Sequence, residues 1–112
     1  MATIQIDDFA KVELVVARVT EAFAHPNADK LIVLKIDAGD GDADRQIVAG
    51  IRQWYPPESL VGKNIVIVNN LQPATLRGIE SRGMLLAAQD PATGEVVVLT
   101  ADKPVTPGSK IR

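Results

Sequence analysis

The chain contains no cysteine. Disulfides, thiolate metal sites and cysteine nucleophiles are thereby excluded, and a small domain without a disulfide points to the cytoplasm. Histidine occurs once, at His25, so a zinc site has no second imidazole to draw on. No cofactor is expected. Aromatic residues are scarce: Phe9, Phe23, Trp54 and Tyr55 complete the set. Single-strand binders stack bases on exposed aromatics, and these four, two of them adjacent before Pro56-Pro57, make a poor platform. Trp54 and Tyr55 are expected to pack against the body of the protein or to line a subunit contact. No apolar run approaches the roughly 18 residues that span a bilayer. The stretch from Met1 to Asp8 lacks the basic start and apolar centre of a secretory signal, so no membrane association is expected. Positive charge is not in excess either; the net charge is −2.

What is present fits one small domain, residues 1–112. The 112 residues are 46% hydrophobic, enough for one modest core and too apolar for disorder. The acidity is local. Asp37, Asp40, Asp42 and Asp44 fall in one segment without a basic residue, and setting these four aside turns the net charge of −2 into +2. A local basic surface is therefore compatible with the composition, because distribution matters more than the sum.

Strands are expected at Lys11 to Phe23, Leu31 to Ile36, Arg45 to Gly50, Lys63 to Asn69, Gly83 to Gln89 and Glu95 to Thr100. The first is read with Val12, Leu14 and Val16 on one face. Ile65 to Val68 is a β-branched run that suggests burial on both faces. His25-Pro26-Asn27-Ala28-Asp29 and Asp90 to Gly94 read as turns, and the acidic segment with Gly39 and Gly41 as a hairpin loop. Pro56 to Leu60 suits one helical turn with Pro at its start. Leu71 to Arg82 reads as a loop, and the tail with Pro104, Pro107 and Gly108 as irregular or edge-like. Short strands with one helical turn between the third and fourth predict an all-β fold. It is a five-stranded OB-fold Greek-key barrel with one short helix and a C-terminal extension.

No catalytic constellation emerges, and the chain is expected not to be an enzyme. Ser59, Ser81 or Ser109 could be set beside His25 on paper, but none lies in a nucleophile-elbow signature. Asp40-Gly41-Asp42-Ala43-Asp44 imitates the start of a calcium loop. It fails at Arg45, where glycine is required, and at Ile51, where the bidentate glutamate is required. A solvated acidic hairpin is the simpler reading. A histidine in a turn before proline is ordinarily structural. Glu13, Glu21 and Asp29 show no pairing that suggests acid–base work.

Five short motifs occur in order: Phe9-Ala10-Lys11-Val12-Glu13-Leu14, His25-Pro26-Asn27-Ala28-Asp29-Lys30-Leu31, Ile47-Val48-Ala49-Gly50-Ile51, Asn70-Leu71-Gln72-Pro73, and Leu76-Arg77-Gly78-Ile79-Glu80-Ser81-Arg82-Gly83-Met84. Together they resemble the tRNA-binding domain family, over roughly residues 8 to 112. That family includes stand-alone structure-specific tRNA-binding proteins, the C-terminal domain of many bacterial methionyl-tRNA synthetases, and EMAP II-like domains. The resemblance implies an OB-fold, a homodimer built through C-terminal structure, and binding to the outer corner of folded tRNA. By that analogy Lys30, Asn70, Arg77, Ser81, Arg82 and Met84 are the expected tRNA contacts.

The chemistry of the segment Asn69 to Met84 agrees. Folded RNA is read through phosphates, 2′-hydroxyls and shape. Asn69, Asn70 and Ser81 offer neutral donors, Arg77 and Arg82 bidentate phosphate recognition, and Gly78 and Gly83 close backbone approach. Read from the residues alone, Ser81-Arg82-Gly83-Met84 also suits the start of the fifth strand, with Met84 filling the core. Relatives often carry basic residues where this chain has Val15, Gln72, Ala74 and Thr75, and serine where it has Ala49. Fewer cations predict micromolar affinity and a shallow salt slope. A start at Met1, just before the first strand, favours an independent protein, with a synthetase as a further partner. The alternatives are a C-terminal domain of methionyl-tRNA synthetase and an export chaperone of the CsaA type.

Overall fold

Val and Ile carry most of the buried strand positions, because their stiff branched side chains fit a pleated, half-buried surface. In the computed structural model, which describes residues 1–112, five strands form one antiparallel sheet. They are β1 (Leu14–Ala24), β2 (Ile32–Asp37), β3 (Gln46–Ala49), β4 (Asn64–Val68) and β7 (Met84–Leu85), in the order β3-β2-β1-β4-β7. Two short hairpins complete the strands: β5 (Ala74–Leu76) with β6 (Ile79–Ser81), and β8 (Ala87–Gln89) with β9 (Val96–Val98). The two edges of the sheet approach each other. The Arg82 N–H donates to the Gln46 carbonyl at 2.9 Å, and the Ser81 Oγ accepts from the Val48 N–H at 2.9 Å. The result is a nearly closed five-stranded barrel of OB-like fold. A 3-10 turn, Pro57–Leu60, lies between β3 and β4, where the sequence predicts it.

The core is drawn from alternate positions of each strand: Val15, Ala17 and Val19; Ile32, Leu34 and Ile36; Ile47 and Ala49; Ile65 and Ile67. Leu60 reaches it from the 3-10 turn and is fully buried. Each large aliphatic side chain there contributes about 1.5–3 kcal/mol relative to exposure. Trp54 and Tyr55 are half-buried, and Tyr55 packs against this core while its hydroxyl accepts from the Val98 N–H at 3.0 Å.

Four expectations need correction. The inward face of β1 is Val15-Ala17-Val19, not Val12-Leu14-Val16. Val15, Val16 and Ala17 are all buried in succession, so alternation could not set the phase. The first half of β1 lacks β2 as a neighbour, and the tail takes that edge. Val16 N–H donates to Ser109 at 2.9 Å, and Ile111 N–H donates to Leu14 at 2.8 Å. The tail also passes the residues after β2 closely enough to need glycine: at Gly108, with φ of +90°, a Cβ would lie 2.9 Å from the Ala38 carbonyl oxygen.

The segment Leu71 to Arg82 is not a bare loop, since it contains the β5–β6 hairpin. The expected fifth strand is split at Leu86. Its first half pairs with β4, and its second half leaves for β9. Finally, a short helix, α1 (Ile6–Ala10), precedes the barrel where none was predicted. Its start is fixed by the Gln5 N–H donating to the Asp8 carboxylate at 3.1 Å, and it buries no residue. No helix is long and apolar enough to cross a membrane.

Candidate nucleic-acid interface

The turn after β1 is ordered by a single buried imidazole. His25 is 2% exposed. Its Nδ1 accepts from the Asn27 N–H at 3.0 Å, which leaves Nε2 as the donor to the Leu76 carbonyl at 2.9 Å. His25 therefore ties the turn to the end of β5. The other side of the turn is tied to the residues after β3. Arg52 N–H donates to the Lys30 carbonyl at 3.4 Å, and the Arg52 guanidinium reaches the Ala28 carbonyl at 3.5 Å.

Leu76 pairs with Ile79, so Arg77-Gly78 is a two-residue hairpin turn. Both residues have positive φ, +52° for Arg77 and +91° for Gly78, as a type I′ turn demands. Arg77 is the one non-glycine residue of the chain in the left-handed region. Asparagine or glycine would suit that backbone better. Its side chain and that of Lys30 line one cleft of about 390 Å³ with Asn27, Ala28, Asp29 and Leu31. Neither cation takes part in an ion pair; the three ion pairs of the chain are Lys11–Asp8, Arg45–Asp40 and Arg82–Asp42.

The other end of β6 is organised differently. Arg45 is 6% exposed and makes five hydrogen bonds, one for each of its N–H donors. Nη1 meets Asp40 at 3.0 Å and the Asn69 Oδ1 at 2.6 Å; Nη2 meets the Asn69 and Arg82 carbonyls at 3.0 Å each; Nε meets the Arg82 carbonyl at 3.1 Å. The Arg82 guanidinium donates to Asp42 at 2.6 Å. That hydrogen bond holds the Asp42 carboxyl below its ordinary range and raises the Arg82 guanidinium above its own.

The expected contacts thus fall into separate environments. Lys30 and Arg77 come together with unpaired charge. Arg82 stands five residues further along, up to about 16 Å of extended chain away, beside the acidic hairpin. The Asn70 side chain accepts from the Glu13 N–H at 2.9 Å and donates to the Lys11 carbonyl at 2.8 Å, pinning the approach to β1. Ser81 is 4% exposed, and its hydroxyl bridges the Val48 N–H and the Gly83 carbonyl. Met84 does not fill the core, as it is 46% exposed. The residues from Asn70 to Gly78 all lie on the surface, including Gln72, Ala74 and Thr75. Val15 belongs to the core, where a cation would not be tolerated.

Sequence reasoning missed Arg45. Its signal was the arginine that ends the run Asp40-Gly41-Asp42-Ala43-Asp44, a lone cation after three acids.

Residues 14–110 match the model of a family described as putative tRNA binding domain. The chain belongs to that family. It is 50% identical over 113 residues to the methionine–tRNA ligase of Thermococcus kodakarensis, covering 100% of this chain and 15% of that protein. Against the methionine–tRNA ligase of Thermotoga maritima it is 56% identical over 108 residues, covering 96% of this chain and 16% of that protein. The chain therefore spans about 15% of the length of the curated relatives it matches. Among solved structures, a MetRS-related protein from Pyrococcus horikoshii superimposes with a TM-score of 0.90 at 35% identity, covering 100% of both chains. The chaperone CsaA of Bacillus anthracis superimposes with a TM-score of 0.86 at 33% identity, covering 99% of this chain and 100% of that one. This tRNA-binding domain therefore shares its barrel both with a methionyl-tRNA synthetase relative and with CsaA. The matched regions belong to a tRNA-binding domain and not to a catalytic one.

Proposed function

We propose that this chain binds folded tRNA as a stand-alone homodimer in the cytoplasm, gripping the sugar–phosphate exterior from the cleft between Lys30 and Arg77, without catalysis of its own. The observation that carries this reading is the tip of the β5–β6 hairpin. A bulky cation occupies a left-handed turn position beside a second cation, and neither has a partner within the chain. A strained residue with an unsatisfied charge is the kind of feature that function retains. Phosphate contacts fix register without reading sequence, so all tRNAs are bound about equally.

The methionine–tRNA ligases and the MetRS-related protein that share this domain support tRNA as the ligand. A synthetase is then a partner that shares the tRNA, and tRNA handling in aminoacylation is the setting. Ser81, Asn70 and Arg45 act as positioning residues, with Arg82 and Met84 at the margin of the contact.

The dimer is supported by apolar surface that has no cover within the chain. Ile4, Ile6 and Phe9, in and just before α1, are 69%, 77% and 41% exposed, and a five-residue helix needs packing to persist. Val97 and Leu99, at the end of the last hairpin, are 45% and 42% exposed. The same apolar surface favours one second reading, a chaperone like CsaA that holds unfolded clients.

Gel shift with total tRNA at two salt concentrations tests the first reading; a shift that weakens with salt is expected. No shift at tens of micromolar protein, together with suppression of client aggregation, would favour the chaperone. Light scattering at twice the 12.0 kDa chain mass is expected, and the single-chain mass would refute the dimer.

A further inference from the structure

Arg82 and Asp42 form the one ion pair between the acidic hairpin and the segment that carries the candidate interface. The pair lies open to solvent: the side chains of Arg82 and Asp42 are 42% and 33% exposed. Arg45 beside it is 7% exposed on its side chain and saturated, so it cannot exchange partners. A guanidinium binds carboxylate and phosphate oxygens with the same forked geometry. Asp42 thus holds the position on Arg82 that an external phosphate would need.

The hairpin presents this carboxylate ready-made. The Asp44 N–H donates to the Asp42 Oδ1 at 3.0 Å, and the Asp42 N–H donates to the Asp40 Oδ1 at 3.1 Å. Asp40 is in turn held by the buried Arg45. The carboxylate therefore loses little conformational freedom on pairing, unlike a long side chain swinging on an open surface.

We propose that Asp42 is an intramolecular competitor for Arg82, an internal phosphate mimic that lowers the affinity of this chain for RNA. The inference rests on the tRNA-binding reading. Two consequences follow. Arg82 is withheld from ligands that engage it alone, such as short single strands or mononucleotides. A ligand already anchored at Lys30 and Arg77 reaches Arg82 at high local concentration and displaces Asp42, so the competitor favours extended, folded phosphate surfaces. Arg82 holds the Asp42 carboxyl below its ordinary 3.8, so at neutral pH its release comes from displacement.

The test is a set of charge-matched variants titrated with total tRNA over a range of salt. Asp42→Asn keeps the Oδ1 acceptor for the Asp44 N–H, removes the charge and puts an amide NH2 where Oδ2 accepts from Arg82. It is expected to raise affinity about three- to fivefold, the size of an exposed ion pair. It should also steepen the salt slope, by at most the about 0.7–0.9 of one phosphate contact, because no displaced carboxylate is left to take up a cation. Asp44→Asn changes the same charge in the same loop, but the Asp44 carboxylate pairs with no cation. It should leave the slope unchanged and the affinity within a factor of about 1.5, because a solvent-exposed charge is screened. In an Arg82→Ala background the Asp42→Asn gain should vanish.

Equal gains from Asp42→Asn and Asp44→Asn would overturn the proposal, as would a gain that survives Arg82→Ala. If Asp42→Asn disturbs the loop, Asp42→Ser repeats the experiment with a hydroxyl acceptor. Wild-type protein that binds no tRNA at all defeats the binding reading itself, an outcome separate from the two above.

Discussion

The stretch from Arg77 to Arg82, which contains β6, carries an arginine at each end, and the two live in opposite conditions. Arg77 sits on a strained turn, exposed, with no acid bound to it. Arg82 sits on relaxed backbone, paired with Asp42, its carbonyl gripped by the saturated guanidinium of Arg45. One end stores strain and unsatisfied charge; the other is stitched to the barrel. The contrast shows how a chain with net negative charge can leave cations without an ion pair at its surface. It ties one end of the stretch down with its acids and leaves Lys30 and Arg77 at the other without an ion pair, with Asp29 as the one acid lining their cleft.

The largest effect expected is on the stitched end. Arg45→Met should cost about 3 kcal/mol, since it strips donors from Asn69 and Arg82, and lower Tm by more than about 10 °C. A melting temperature within two or three degrees of wild type would mean that this end is not held as described. Next comes Ser81. Ser81→Ala orphans the buried Val48 N–H and should cost about 1–3 kcal/mol, with tRNA affinity little changed in the folded protein. Lost affinity at unchanged stability would make Ser81 a contact and not a positioning residue.

The free end behaves in reverse. Arg77→Gly should stabilise the hairpin by about 1 kcal/mol, by relieving left-handed strain, and weaken tRNA binding about fivefold. Arg77→Ala should weaken binding equally without the gain in stability, because alanine is no happier at that φ. Equal melting temperatures for the glycine and alanine variants would remove the strain from the account. A loss of binding confined to one tRNA species would contradict a phosphate contact.

The smallest effect concerns acid. Arg82 depresses the Asp42 carboxyl below its ordinary 3.8. A carboxylate with a depressed folded value adds stability that is fully present above the unfolded value and is lost as pH falls through the folded one. Asp42→Asn should therefore flatten the acid limb of the stability curve below about pH 4. An unchanged limb would show that the pair contributes nothing to folding.

Much of this was legible in the residues, for reasons that can be named. The barrel was readable because short β-branched runs, turn residues and one proline-led helical turn recur in OB-fold order. The motifs around Lys30 and Arg77 singled both residues out; the cleft that they share only the structure shows. The phase of β1 was not, since three consecutive buried residues carry no alternation. The β5–β6 hairpin was missed because its strands are three residues long, and Arg-Gly is not the usual pair for a type I′ turn. Ser81 read equally as a donor to RNA and as a strand start; only its 4% exposure and its two bonds decide for the interior. Asn69 and Asn70 looked like free amides because nothing local reveals partners at Arg45, Glu13 and Lys11, which lie far away in sequence.

The most direct test of the central claim is ultraviolet crosslinking of bound tRNA to the purified protein, with the crosslinked peptides mapped by mass spectrometry. Crosslinks concentrated in residues 25–31 and 74–79, and lost in the Lys30→Ala Arg77→Ala double variant, are the predicted result. Crosslinks confined to α1 and the β8–β9 hairpin, or unchanged in the double variant, would contradict it.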